Sequence, residues 1–96
     1  SGPAVELIGE RDGVRAVLRL RPGAAPAGGT TVELTVTGVP EGRVVAVAAD
    51  GARETVADWA AGTGFSAGPV TFPIDRIDRF EVLSRAGAVL LTVPRR

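Results

Sequence analysis

Apolar and polar residues alternate along most of this chain with a period of two, which is the pattern of a β-strand with one buried face. The clearest stretch is residues 30–37, in which Val32, Leu34 and Val36 alternate with polar residues. Residues 14–21 alternate in the same way. Gly and Pro interrupt every window that could form a long helix, so the pattern predicts strands joined by turns.

The predicted strands are short and closely spaced. They cover residues 5–8, 14–21, 30–37, 44–49, 53–60, 70–74, 80–83 and 88–93. Asp12-Gly13 is a predicted hairpin turn, because a type I′ turn requires positive φ at both central residues, and Asp50-Gly51 is predicted to be the next hairpin turn. The intervening segments are predicted to be loops at residues 22–29 and 60–69 and a helical turn or corner at residues 75–79. Roughly seven or eight such strands predict an all-β fold, an antiparallel β-sandwich of the immunoglobulin-like type.

The expected core follows from the inward positions of these strands. It consists of Leu18, Leu20, Val32, Leu34, Val36, Val45, Val47, Trp59, Phe72, Phe80, Val82, Leu91 and Val93. Residues 44–49 are apolar in both alternating sets, so the pattern leaves open which set faces the core.

Length and charge restrict the classes of protein. The chain has 96 residues, of which 45% are hydrophobic, enough for one domain with a modest core. We expect a single domain over residues 1–96, with Ser1 and Gly2 as a cloning remnant. Basic and acidic residues balance at 11 each, which gives no electrostatic reason to expect a nucleic acid partner.

The absence of His and Cys limits the available chemistry. Catalytic triads that use an imidazole and zinc sites built on His and Cys are both excluded. Asp75 and Asp78 form a close carboxylate pair, the remaining option for acid-base chemistry, but each precedes an Arg, which favours a solvated corner with local ion pairs. We therefore expect no enzymatic activity, no cofactor and no bound metal.

Arginines form a basic stripe on one predicted strand. Arg15, Arg19 and Arg21 share the outward face, and Glu33 is expected to lie opposite them on the next strand. This arrangement favours a solvated ladder of charges over the alternative, a site for a polyanion.

A Gly-rich segment is the candidate contact site for a ligand or partner. It consists of Gly62, Thr63, Gly64, Phe65 and Ser66. Phe65 lies at the expected tip of a mobile loop, where an aromatic side chain is difficult to bury and loops commonly carry function. This Gly-rich segment differs from a phosphate-binding loop in the spacing of its glycines, in the absence of a Lys and in being followed by a predicted strand.

The order of turns and strand ends over residues 29–94 resembles the extracytoplasmic domain of actinobacterial anti-sigma factors with an N-terminal zinc-finger domain. The matching features are the Gly-Val-Pro-Glu-Gly turn at 38–42, the Asp-Gly hairpin at 50–51, Asp58-Trp59 at a strand end, Phe-Glu-Val at 80–82, Gly87 and Leu-Leu-Thr-Val-Pro at 90–94. Members of that family commonly have a Cys in the strand after the turn, and residues 43–49 have none.

The resemblance implies a sensor or scaffold domain on the outer side of the cell membrane, within a single-pass membrane protein that regulates an extracytoplasmic-function sigma factor. A protease or signal protein outside the membrane is the implied partner, and sigma-factor binding would lie in parts absent from this sequence. The expected switching movement is local detachment of residues 5–21 from the rest of the sandwich, because the connecting loop at residues 22–29 has no apolar anchor. The alternatives are a surface β-sandwich for adhesion or carbohydrate binding and an accessory domain of an enzyme.

Overall fold

The computed structural model describes residues 3–23 and 28–96, apart from the side chains of Ser66 and Ala67. Within these residues the chain forms eight β-strands and one 3-10 turn, Ile74–Arg76. The strands are β1 (Val5–Arg11), β2 (Val14–Pro22), β3 (Thr30–Thr37), β4 (Gly42–Ala48), β5 (Arg53–Trp59), β6 (Gly64–Val70), β7 (Ile77–Ser84) and β8 (Val89–Pro94). The all-β prediction is confirmed.

The strands form two four-stranded antiparallel sheets, in the orders β1-β2-β3-β6 and β5-β4-β7-β8. If β2 to β8 are labelled A, B, C, C′, E, F and G, these orders become A-B-E and C′-C-F-G, with β1 added beside A. That is an immunoglobulin-like β-sandwich in which the C′ strand joins the GFC sheet. The sandwich prediction is therefore confirmed, and β1 is an additional edge strand.

The first hairpin forms as its sequence predicts. Arg11 pairs with Val14 across a two-residue turn, so the loop contains only Asp12 and Gly13. Their φ angles are 51° and 82°, the positive values that a type I′ turn requires. This turn fixes the register of β1 on β2, and thereby decides which side chains of β1 face outward.

The core lies between the two sheets and contains ten of the predicted residues. These are Leu18, Leu20, Val32, Leu34, Val36, Phe72, Phe80, Val82, Leu91 and Val93. Trp59 is half-buried and packs against this cluster from one end of the sandwich.

β4 differs from the prediction in the face that it turns inward. Val44, Ala46 and Ala48 face the core, whereas Val45 and Val47 lie on the opposite side of the sheet, in a small separate cluster with Leu83. Both alternating sets of β4 are buried, which is why the sequence pattern could not choose between them.

β6 replaces most of the loop predicted at residues 60–69. It pairs antiparallel with β3 over seven positions, from Val36 with Gly64 to Thr30 with Val70. The strand predicted at residues 70–74 is wrong, because Val70 is the last residue of β6 and the 3-10 turn begins at Ile74. A Pro inside β6 is compatible with its position at the edge of a sheet.

The N-terminal strands are not equivalent in their attachment to the sandwich. β2 lies between β1 and β3, and its inward residues Ala16, Leu18 and Leu20 are at most 1% exposed. Release of β2 would therefore expose the centre of the core, so the structure disfavours the opening expected for residues 5–21 as a whole. β1 is an edge strand, with Val5 41% exposed and Ile8 54% exposed.

Candidate functional site

The predicted contact segment at residues 62–66 forms the start of an edge strand. Gly62 has φ +77° and turns the chain after β5, and β6 begins at Gly64. Phe65 is paired with Thr35 of β3, yet its side chain is 77% exposed. The expected flexible tip is thus a hydrogen-bonded strand that holds an aromatic ring in water. The side chain of Ser66 lies outside the described residues.

Packing between Gly64 and Trp59 holds this strand in place. A Cβ added at Gly64 would lie 2.7 to 2.8 Å from three atoms of the indole ring, so only Gly allows the backbone to lie against that ring. The indole Nε1–H donates a hydrogen bond to the carbonyl oxygen of Val39 at 2.8 Å. Trp59 is therefore a structural residue that supports β6, and Phe65 is the aromatic residue that faces solvent.

An exposed row of side chains crosses the outer face of the β1-β2-β3-β6 sheet. Its members are one residue from each strand in direct register: Ile8 with Val17, Val17 with Thr35, and Thr35 with Phe65. Ile8 is 54% exposed, Val17 is half-buried and Thr35 is exposed. Three of the four are apolar, and Thr35 carries a methyl group beside its hydroxyl; we call these four residues the apolar row. Scattered single apolar residues are normal on a surface, whereas residues aligned across a whole sheet mark a candidate contact surface.

Charged residues flank the apolar row on both sides. Glu6, Arg19 and Glu33 are consecutive register partners on one side, and Glu10 pairs in register with Arg15 on the other. The structure thus places Glu33 beside Arg19, as expected for the basic stripe. Among the described residues, no ion pair within 4.0 Å involves any of these five side chains, so their charges are available to a partner.

Ion pairs cover the centre of the outer face of the other sheet. Glu81 of β7 accepts hydrogen bonds from Arg53 Nη2 of β5 at 2.8 Å and from Arg79 Nε at 2.9 Å. Because β4 lies between β5 and β7, the Arg53–Glu81 pair crosses above β4, where Val45 and Val47 are 4% and 1% exposed. The centre of this face is therefore covered by its own side chains.

The protonation state of Glu81 follows from two opposed effects. Burial alone would raise its pKa, but the hydrogen bonds from Arg53 and Arg79 outweigh that effect and hold the pKa below its ordinary value. A carboxylate that two guanidinium groups keep ionised is unsuited to act as a general acid. Glu81 is therefore assigned a role in stability.

Of the two carboxylates of the predicted corner, Asp78 has an ion-pair partner, and Asp75 is contacted at its backbone oxygen. Asp78 forms an ion pair with Arg79 at 2.8 Å, and Arg76 pairs with Asp50 at 2.9 Å. Arg95 donates to the backbone oxygen of Asp75 at 3.3 Å. Within residues 3–23 and 28–96, no group of three or more acidic residues is positioned to hold a metal ion.

Sequence reasoning missed three members of the apolar row, Ile8, Val17 and Thr35. For Ile8 and Val17 the available signal was an apolar residue at an outward position whose neighbours two residues away are charged, as with Val17 between Arg15 and Arg19. Only the strand register reveals that these residues line up with Phe65.

These features define the class of protein: a small β-sandwich in which ion pairs cover the centre of one outer face. The other outer face presents an apolar row between charges that have no ion-pair partner among the described residues. Comparisons with family models, with curated proteins and with solved structures found no match for this chain. In the part of the chain that the structure describes, no helix has the length and apolar character needed to span a membrane.

Proposed function

We propose that this chain is a non-catalytic interaction domain, the extracytoplasmic sensor or scaffold domain of a membrane-spanning anti-sigma factor of the zinc-finger type. It would act on the outer side of the membrane, where a protease or signal protein is its partner. The observation that carries the interaction role is Phe65, whose side chain is 77% exposed on a strand of the sheet.

A rigidly presented aromatic residue is suited to binding. The backbone of Phe65 is paired with Thr35, and the preceding Gly64 lies against Trp59. Little conformational freedom of the backbone would be lost when a partner covers this ring, and aromatic anchors contribute much of the binding energy at protein interfaces.

The resemblance supports the regulatory role, and two of the motifs that carry it are joined by a hydrogen bond. Trp59, at the strand end of the Asp58-Trp59 motif, hydrogen-bonds to Val39 in the Gly-Val-Pro-Glu-Gly turn. Residues that lie 20 positions apart thus depend on one another physically, which gives a reason for the two motifs to occur together. Both are structural and lie apart from the apolar row.

A carbohydrate-binding module is the less favoured role. Sugar platforms commonly use several exposed aromatic rings, whereas Trp59 packs against Gly64 and only Phe65 among the described aromatics is largely exposed.

The gene that encodes the chain provides the first test. The proposal expects about 20 consecutive apolar residues upstream of this domain. It also expects a His-x-x-x-Cys-x-x-Cys segment before them, as the zinc-finger resemblance implies. A reading frame with neither feature would refute the regulatory role.

A reporter assay provides the second test. The full-length protein is expressed with its sigma factor and a sigma-dependent reporter, and residues 3–96 are then replaced by an unrelated β-sandwich of similar size. The expected result is a change in basal or stress-induced reporter output. Unchanged basal and induced output would show that the domain neither senses nor restrains, and would overturn the proposal.

A further inference from the structure

The charge pattern around the apolar row suggests what covers it. We propose that the outer face of the β1-β2-β3-β6 sheet binds a second copy of this chain, face to face, about a two-fold axis that runs parallel to the strands between β2 and β3. The inference rests on this face being a binding surface, as proposed above, but it does not depend on the regulatory role.

Rotation about this axis leaves the position of each residue along the strand direction unchanged. It reverses the order of the strands across the sheet in the second copy. β1 then lies over β6 of the second copy, and β2 lies over β3. Ile8 therefore meets Phe65 of the second copy, and Val17 meets Thr35. The same contacts occur twice, as an isologous interface requires.

The flanking charges are complementary in this orientation. Arg19 of one copy lies over Glu33 of the other, and the reciprocal pair forms at the same time. Neither Arg19 nor Glu33 has an ion-pair partner within 4.0 Å among the described residues of its own chain. Arg15 lies over the uncharged Thr37, so no like charges are brought together on that side.

The other simple orientation is disfavoured by the same charges. A two-fold axis along the apolar row would exchange the flanking rows. Arg19 would then lie over Arg15, and Glu6 over Glu10. Like charges in contact oppose association, so the charge pattern selects the axis parallel to the strands. Aligned packing within about 30° is also the usual geometry for two sheets face to face.

The size of the face predicts a weak dimer. Four strands spaced about 4.8 Å apart, with about seven residues at 3.3 Å each, give a face of roughly 450 Å² per copy. The total of about 900 Å² is below the roughly 1,200–2,000 Å² of stable interfaces. We therefore expect a dissociation constant above about 10 µM, and the measurement must extend to about 1 mM.

The test is sedimentation velocity on the intact chain and on two charge-reversed variants, Arg19→Glu and Glu33→Arg. Each variant alone would place like charges over one another twice, so we expect dimerisation at least about tenfold weaker than that of the original chain. An equal mixture of the two variants restores both attractive pairs, and we expect a heterodimer within about threefold of the original affinity.

This mixing experiment separates contacts between copies from contacts within one copy. Arg19 and Glu33 are also neighbours within the sheet, and mixing leaves those intrachain neighbours unchanged. Recovery in the mixture therefore supports an intermolecular Arg19–Glu33 contact. Under the alternative axis, Arg19 of the Glu33→Arg variant would still face an arginine, so failure of the mixture to recover would overturn the proposed orientation.

A matched pair of apolar variants tests the row itself. Phe65→Ser removes a ring that contacts Ile8 twice per dimer, and we expect at least about tenfold weaker dimerisation. Val89→Ser is the control, because Val89 is 50% exposed on the other sheet, and it should leave the affinity within about twofold. An original chain that stays monomeric at about 1 mM, or a dimer that weakens equally in both variants, would overturn the proposal. These results are independent of the reporter assay above.

Discussion

Replacement of Gly64 by Ala tests the support beneath the candidate site. A Cβ at this position would lie 2.7 Å from Cε2 and 2.8 Å from Cδ2 and Cε3 of Trp59, which is closer than carbon atoms pack. The ring has little freedom to retreat, because Trp59 packs against the core cluster and its Nε1–H donates a hydrogen bond to the Val39 carbonyl oxygen. Either β6 or the indole ring must therefore move.

The size of the effect follows from three contributions. Insertion of a methyl group into a packed site costs about 1–3 kcal/mol. Displacement of the ring would add the loss of one hydrogen bond, about 0.5–1.5 kcal/mol. Gly→Ala also stabilises a chain by about 0.4–1 kcal/mol, because the unfolded state loses conformational freedom. The net expectation is a destabilisation of about 0.5–4 kcal/mol.

Gly68→Ala is the matched control on the same strand. No atom lies within 4 Å of a Cβ built at Gly68, and Gly68 is not among the residues with positive φ. It should therefore be neutral or stabilising by up to about 1 kcal/mol. The comparison isolates the contact with Trp59 from the general effect of replacing a Gly in a strand.

Urea denaturation measures the free energy of unfolding of both variants. The chain has one Trp, so fluorescence reports on the packed ring directly, and far-ultraviolet circular dichroism provides a second probe of the whole sandwich. Equal unfolding midpoints for Gly64→Ala and Gly68→Ala would show that Trp59 does not hold β6. The rigid presentation of Phe65 would then lose its structural basis.

Three further predictions concern stability. Leu34 is 2% exposed in the core, so Leu34→Ala should lower the free energy of unfolding by about 2–5 kcal/mol in urea, and a loss below about 1 kcal/mol would contradict its burial. The pKa of Glu81 in the folded state is lowered from its ordinary value of 4.5. The ionised carboxylate therefore contributes fully to the free energy of unfolding above pH 4.5, and this contribution is lost as the pH falls through the lower pKa of the folded state. Unfolding measured from about pH 7 to about pH 3 should therefore show a smaller acid loss in Glu81→Gln than in the original chain, and identical pH profiles would refute the role of the ion pairs. In hydrogen exchange, β2 amides should be protected as strongly as those of β3 and more strongly than those of β1, whereas equal exchange of β1 and β2 would restore the idea that both N-terminal strands open together.

Local chemistry made much of this fold predictable. β3 spans Thr30–Thr37, as its alternation predicts, because one face is fully buried and the other carries polar residues. The Asp12-Gly13 turn was predictable because positive φ at both positions restricts the residues that fit. Each of these two signals is carried by residues that are close to one another in the sequence.

β6 could not be predicted because its determinants are distant in sequence. The segment Gly-Phe-Ser-Ala-Gly-Pro-Val has little intrinsic preference for a strand. Its conformation is fixed by pairing with β3 and by the contact of Gly64 with Trp59. The sequence indicated Phe65 as a contact residue. It did not indicate that Phe65 lies beside Ile8 and Val17, because those residues are on strands far from Phe65 in the sequence.

The two outer faces of this sandwich show why register matters more than composition for locating the site. Both faces carry apolar residues and arginines. On the β5-β4-β7-β8 sheet the Arg53–Glu81 ion pair crosses over β4, so Val45 and Val47 are shielded from both water and partners. On the β1-β2-β3-β6 sheet the charges lie beside the apolar row, and among the described residues no ion pair crosses it, so Phe65 stays exposed. Binding over Val45 and Val47 would first break charged hydrogen bonds, whereas binding to the open face, over the apolar row, displaces only water. The open face is therefore the one on which a partner is energetically favoured, whichever protein that partner is.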